Sequence, residues 1–145
     1  MKSVVIDQLE KVHVECHYNA EKRIAYVTYK GILDADASDS AYDWLYKLIG
    51  IIGVDHLYGE VFNFSGVTVF TTENLIDAMR KSRKMNISIT AKTRLFPVAM
   101  IVANTMQEEI LRGPMRVPPE NVRKRIVYSM EEAHRFLDQW HTTTT

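Results

Sequence analysis

The sequence contains a single cysteine, Cys16, among its 145 residues. One cysteine excludes an internal disulfide framework and a thiolate metal cluster within one chain. The Gly-Lys-Ser/Thr ending of a P-loop and the Gly-x-Gly-x-x-Gly pattern of a dinucleotide site are also missing. The sequence therefore predicts neither a disulfide-rich miniprotein nor a nucleotide-binding enzyme of these two classes, and we expect no cofactor.

Long hydrophobic runs are absent as well. No stretch approaches the ~18 apolar residues of a membrane span. We therefore expect no transmembrane helix. The apolar group at residues 4–6 is shorter than the core of a signal peptide. We therefore expect a cytoplasmic protein.

The overall composition is that of an ordinary globular protein. Hydrophobic residues make up 46% and charged residues 25% of the chain. At this length a single domain is expected over residues 1–145, with residues 142–145 as a frayed tail.

The zero net charge conceals an asymmetry between the two parts of the chain. Residues 1–79 hold twelve acidic and six basic residues, and residues 80–145 hold six acidic and twelve basic ones. A neutral chain does not indicate a nucleic-acid binder. The basic segments 80–94 and 112–125 are either solvated surfaces or a surface complementary to a partner or a second copy.

Alternating strand and helix patterns predict an α/β fold. The expected architecture is a five-stranded mostly parallel mixed sheet with helices packed on it, opened by an antiparallel hairpin. The predicted strands are residues 11–18, 23–29, 57–64, 95–103 and 125–128, and the predicted helices begin near Asp34, Thr71 or Thr72, Met106 and Ser129.

The first predicted strand carries several residues with chemical potential. Alternation places Val12, Val14 and Cys16 on the core face, where Cys16 is expected to be a structural thiol rather than a nucleophile. His13 and His17 share the other face but stand ~13 Å apart at ~3.3 Å per residue, so they cannot bind one ion. We expect no metal site.

The first predicted helix has an unusually wide apolar surface. Its apolar side chains, among them Tyr42, Tyr46 and Ile49, cover an arc of about 220°. A helix that packs only on a sheet needs an apolar stripe of roughly 100°. Either a neighbouring helix covers the excess, or it forms a dimer surface or one wall of a ligand pocket.

Residues 61–75, with the sequence VFNFSGVTVFTTENL, resemble the third strand and following loop of STAS domains, the bacterial anti-sigma-factor-antagonist family. Asn63 stands where that family has a strand-end aspartate, residues 65–68 match its Ser-Gly-Val-Thr stretch, and Leu75 matches the leucine of its motif. The order of elements is more similar to the SpoIIAA-like branch, which shades into Sec14-type lipid-binding folds.

The resemblance implies a regulatory role with one chemical difference. Signalling members of the family are phosphorylated on a serine at the start of the next helix, and the added charge changes partner binding. Here Glu73 occupies that position, so the site would carry permanent negative charge. Thr71 or Thr72 is either the helix cap or a remaining phosphate acceptor.

The leading hypothesis is a non-enzymatic regulatory module that binds a protein partner, since no set of acid, base and nucleophile can be assembled from spacing. Its expected partner-binding residues are Asn63, Ser65, Gly66, Phe70, Thr71, Thr72, Glu73 and Asn74. The alternative is a Sec14-like binder that holds a lipid or another small apolar ligand against Tyr42, Tyr46 and Ile49.

Overall fold

The computed structural model describes residues 7–71, 80, 96–113 and 123–144. These residues form six strands and three α-helices around one sheet. The strands are β1 (Leu9–Glu10), β2 (Val14–Asn19), β3 (Ile24–Leu33), β4 (Gly59–Phe70), β5 (Val98–Ile101) and β6 (Lys124–Val127). The helices are α1 (Ala35–Ile52), α2 (Thr105–Arg112) and α3 (Met130–Thr144).

The strands lie side by side in the order in which they occur along the chain. β1, β2 and β3 pair antiparallel, and β3, β4, β5 and β6 pair parallel. The predicted α/β class, the mostly parallel mixed sheet and the opening hairpin are confirmed. The prediction of five strands is wrong by one, because β1 has only two residues and is too short to show an alternating pattern.

One face of the sheet, here called the front face, is covered by α1. The helix begins at Asp34, whose carboxylate accepts the backbone N–H of Ala37 at 2.9 Å, and ends at Gly53, which has a φ of 82°. Its buried residues pack against a front core cluster contributed by several strands, which includes Val14, Cys16, Val27, Tyr29, Phe62, Phe64 and Met100. The sequence pattern predicts that this helix ends at about Ile49, and the structure extends it to Ile52.

The opposite face, here called the back face, is covered by α3. Ala133, Phe136 and Leu137 pack there against strands β3 to β6. Ser129 and Glu132 have the spacing of a capping box, and its first half is present, because the backbone N–H of Glu132 donates to Ser129 Oγ at 3.1 Å. The Glu132 carboxylate accepts the backbone N–H of Tyr128 at 3.3 Å instead of that of Ser129. The helix continues to Thr144 and so takes in most of the segment that was expected to fray.

The prediction that the first long strand begins at residue 11 is wrong, because β2 begins at Val14. Val12 is 79% exposed, whereas Val14 and Cys16 are buried as expected. The backbone N–H of Lys11 donates to the Val14 carbonyl at 2.8 Å, and the resulting turn between β1 and β2 keeps Val12 outside the strand.

Among the described helices, none is both long and apolar enough to cross a bilayer.

Candidate functional site

The predicted partner-binding residues that the structure describes lie along the carboxyl-terminal part of β4 and directly after it. Asn63, Ser65, Gly66 and Phe70 belong to this strand, and Thr71 follows it. The expectation that β4 ends at residue 64 and continues as a loop is wrong, because the strand runs on to Phe70. The remaining predicted residues, Thr72, Glu73 and Asn74, and the predicted second helix lie outside the described residues.

Continued pairing with β3 explains why β4 is longer than expected. Gly66, Val67, Val69 and Phe70 lie opposite residues 30–33, with register shifts on either side of the Lys30 and Gly31 positions. Gly31 has a φ of 71°, and a Cβ there would lie 3.0 Å from His13 Nδ1, so both conformation and space favour glycine. We call this paired segment, residues 30–33 and 66–70, the carboxyl-end ribbon.

A local hydrogen-bond pattern fixes the entry to the ribbon. Asn63 Oδ1 accepts the Ser65 backbone N–H at 3.0 Å and the Ser65 hydroxyl at 2.6 Å. An Asx side chain that bonds two residues ahead shapes the backbone as a turn would. Asn63 therefore acts as a structural residue that sets the course of the chain before Gly66.

The ribbon presents an apolar pair to solvent. Ile32 and Val69 are register partners and are 42% and 48% exposed. Their neighbours Leu33 and Phe70 pack into the front core cluster, so strand alternation directs Ile32 and Val69 to the back face. Together with the exposed Ser65, Gly66 and Thr68, this pair forms a surface of small and β-branched side chains with an accessible backbone.

Gln107 of α2 forms hydrogen bonds that hold the carboxyl-end ribbon in place. The sequence analysis did not predict this contact. Its side-chain amide donates to the carbonyl of Val67 at 3.0 Å, and its Oε1 accepts the Ala103 N–H at 2.7 Å. Gln107 is buried, and its own backbone N–H is capped by Asn104. The pattern Asn-x-x-Gln before an amphipathic segment was the only available signal, and it indicates a helix start rather than a contact with β4.

Replacing Gln107 with alanine is expected to lower the free energy of unfolding by about 1–3 kcal/mol, because it leaves a buried carbonyl and a backbone N–H without their partners. Urea denaturation measures the change. Gln139→Ala, at an exposed position of α3, is the matched control and should change stability by less than ~0.5 kcal/mol. Equal stabilities of the two variants would contradict the role given to Gln107.

Thr71 is hydrogen-bonded to the end of β3. Its backbone N–H and its hydroxyl both donate to the Leu33 carbonyl at 3.3 Å, and the side chain is half-buried. A hydroxyl held in this way is less accessible to a modifying enzyme than one on an open loop. The geometry therefore favours a structural role for Thr71.

The three α1 residues predicted as an interface or pocket wall lie in different environments. Tyr42 and Ile49 are half-buried against the front core cluster, and the Tyr42 ring lies 6.2 Å from that of Phe62. Tyr46 is exposed. The wide apolar surface of α1 is thus partly covered by the chain itself, and Tyr46 remains at its edge.

A buried charged cluster lies on the front face and was not anticipated from the sequence. Glu60 is 3% exposed and pairs with Val98 across the sheet, two residues before Phe62 on the same face. Burial raises the pKa of its carboxyl to about 7, against the opposing attraction of Arg123 and Lys124. Its Oε2 has no hydrogen-bond partner among the described residues.

Burial also changes the pKa values of the two basic residues of this cluster, Arg123 and Lys124. Desolvation lowers the pKa of Lys124 to about 8 and lowers that of Arg123, whose guanidinium donates to the Phe96 carbonyl at 3.2 Å. The Tyr42 hydroxyl would raise the pKa of Arg123 when ionised. Burial, and to a smaller extent the charge of Glu60, raises the pKa of Tyr29. The cluster therefore lies where β4 and the start of β6 meet on the front face.

The residues weighed as a nucleophile or metal ligands have other contacts. Cys16 is buried in the front core cluster, and desolvation raises the pKa of its thiol to about 12, as expected for a structural cysteine. His13 Nδ1 lies 3.0 Å from the Lys30 carbonyl, and His17 stacks on Tyr26. Both histidines therefore have a contact within the fold that gives each a structural role.

Neither a protein-family model nor a curated protein sequence matches the chain. Its fold is similar to that of the anti-sigma factor antagonist SpoIIAA in its unphosphorylated form, with a TM-score of 0.54, 11% identity and coverage of 88% of this chain and 97% of that one. It is also similar to an uncharacterized protein of the DUF3478 family from Shewanella loihica PV-4, with a TM-score of 0.52, 13% identity and coverage of 94% and 98%. The chain therefore has a SpoIIAA-like fold.

Proposed function

We propose that this chain is a non-enzymatic cytoplasmic regulatory module that binds a protein partner through the carboxyl-end ribbon and the residues that follow it. A protein of this fold is an antagonist of an anti-sigma factor. The proposed docking surface begins at Asn63 and Ser65 and continues through Gly66, Phe70 and residues 71–74. Partner binding, rather than chemistry, is the activity assigned to it.

The outward-facing pair of Ile32 and Val69 is the observation that carries this proposal. Exposed β-branched side chains on paired strands offer apolar area that is already ordered, so a partner can cover it with little loss of conformational entropy. Gln107 and Asn63 hold the backbone below this pair in one conformation. A rigid apolar centre with a polar rim is the usual composition of a protein interface.

Charge next to the ribbon would set the affinity. Glu73 stands where the resembling family carries its phosphoserine, so we propose that it supplies constantly the negative charge that phosphorylation supplies there. A carboxylate near a helix N-terminus is favourable by ~0.3–1 kcal/mol. On this proposal the module is held in one binding state rather than switched.

Reversing the charge of Glu73 is expected to weaken partner binding by at least about tenfold, because it replaces the negative charge that the proposed contact uses with a positive one. The partner is isolated by affinity capture, purified and titrated into Glu73→Lys by calorimetry, and circular dichroism verifies the fold. Glu109→Lys, at an exposed position of α2, is the matched control. Unchanged affinity for Glu73→Lys would refute the role of this charge.

A second candidate function is supported by the buried charged cluster. Glu60 Oε2 has no hydrogen-bond partner among the described residues, and Glu60 shares the neighbours Tyr29 and Arg123 with Tyr42. A small molecule could pack its apolar body against Tyr42 and Ile49 and place a hydroxyl or amine at Glu60. Native mass spectrometry of protein purified from its source tests this carrier function. A reproducible adduct of small-molecule mass would support it, and protein observed only at its own mass would contradict it.

A further inference from the structure

A second concave site lies on the back face, at the amino ends of the parallel strands. This open pocket has a volume of about 430 Å³ and is lined by Lys22, Ile24, Tyr58, His134 and Asp138. Lys22 comes from the turn between β2 and β3, Tyr58 precedes β4, and His134 and Asp138 lie on α3. The carboxyl-end ribbon is at the other end of the same strands, so the two sites are separate.

A supporting layer of side chains holds the pocket residues in place. The Tyr58 hydroxyl donates to Asp138 Oδ1 at 2.5 Å, and its ring stacks on His141 at 3.9 Å, while His141 Nε2 lies 2.7 Å from the Tyr58 carbonyl. On the other side, His134 Nε2 lies 2.8 Å from the hydroxyl of Tyr26. Side chains fixed by such contacts need little ordering when a ligand binds.

One side of the pocket carries positive charge, at Lys22. Lys22 and Arg23 form no ion pair with any residue that the structure describes, and the Arg23 guanidinium lies 5.8 Å from the centre of the Tyr58 ring. Burial, and to a smaller extent the positive charge of Lys22, lowers the pKa of His134, against the opposing effect of the Asp138 carboxylate. An anionic ligand would reverse the effect of Lys22 on this imidazole.

Asp138 adds a requirement for a hydrogen-bond donor. One of its carboxylate oxygens accepts the Tyr58 hydroxyl, and the other has no partner in the described part of the chain. A bare anion close to this carboxylate would be repelled. A ligand that carries a hydroxyl beside its anionic group would instead donate to Asp138 while its charge lies near Lys22.

We propose that this pocket binds a small phosphorylated polyol, with the phosphate at Lys22 and His134 and a hydroxyl at Asp138. The apolar side chain of Ile24 contacts the carbon skeleton. The pocket thereby gives the module a ligand input that is independent of the proposed docking surface. Its volume is within the range of about 300–1,000 Å³ that is usual for small-molecule sites.

The test uses the whole protein and glycerol 3-phosphate, followed by heteronuclear NMR of backbone amides and of the His134 ring. We expect saturable shifts at Lys22, Ile24 and Tyr58, together with a rise in the pKa of His134 when the phosphate is bound. Lys22→Met should weaken binding by at least about tenfold. Lys47→Met, at an exposed position of α1, should bind as the wild type does.

Comparison of three probes separates the parts of the proposal. Inorganic phosphate and glycerol should each bind more weakly than glycerol 3-phosphate, since each lacks one of the two recognised groups. Shifts that do not saturate, equal affinity for inorganic phosphate, or unchanged affinity in Lys22→Met would overturn the assignment.

Discussion

Replacing Glu60 with glutamine is expected to raise the free energy of unfolding at pH 7.5 by on the order of 3 kcal/mol and to change it little at pH 5. Glu60 is 3% exposed, and burial raises the pKa of its carboxyl from 4.5 to about 7. Glutamine has nearly the same shape but never carries the charge that burial disfavours.

The direction of the pH dependence follows from proton binding. Between pH 4.5 and about 7 the folded protein holds a proton on Glu60 that the unfolded chain has lost. Stability from this group is therefore full below pH 4.5 and is lost as the pH rises to about 7. Lys124, with its pKa lowered to about 8, titrates mainly above this range.

Urea denaturation of both proteins at several pH values between 5 and 7.5 measures the effect. The stability difference between Glu60→Gln and wild type should grow with pH, and titrating groups that do not interact with Glu60 cancel in that difference. Glu109→Gln, on the exposed side of α2, should show a constant difference near zero. A constant difference for Glu60→Gln as well would mean that Glu60 is charged throughout and stabilised by Arg123 and Lys124.

An aspartate at position 69 is expected to weaken partner binding by about a hundredfold or more, because it would place a carboxylate in the apolar centre of the proposed interface. Val69 is 48% exposed, so the variant should fold with only a small loss of stability. Calorimetric titration with the purified partner measures the affinity.

Ile51→Asp is the matched control for this experiment. Ile51 is 56% exposed and lies in the last turn of α1, away from the carboxyl-end ribbon. The control should bind the partner with wild-type affinity. Loss of binding in Ile51→Asp with full binding in Val69→Asp would place the interface at α1 instead.

Regular amphipathic elements were predictable from the sequence because their signals are local. Asp34 and Ser129 as helix caps and the buried Cys16 follow from residue type and spacing alone. The nearly continuous apolar run at residues 95–103 is typical of a central strand covered on both faces, and all four residues of β5 are buried.

The candidate site was only partly predictable, because its geometry depends on contacts between distant segments. Ser65 and Gly66 are typical of a loop, yet pairing with β3 and the hydrogen bond from Gln107 keep this segment in β4. Glu60 was not predicted as a site residue, because its neighbours Arg123 and Lys124 come from the distant start of β6. No local pattern reports such a contact.

Site-specific photo-crosslinking tests the central claim most directly, because it captures a bound protein whose identity is still to be determined. A benzophenone amino acid is introduced at Thr68 in one protein and at Ile51 in another, and each is irradiated in the cells that naturally produce it. We predict one discrete heteromeric adduct from position 68 and none from position 51. An adduct that forms from position 51 and not from position 68 would contradict the assignment of partner binding to the carboxyl-end ribbon.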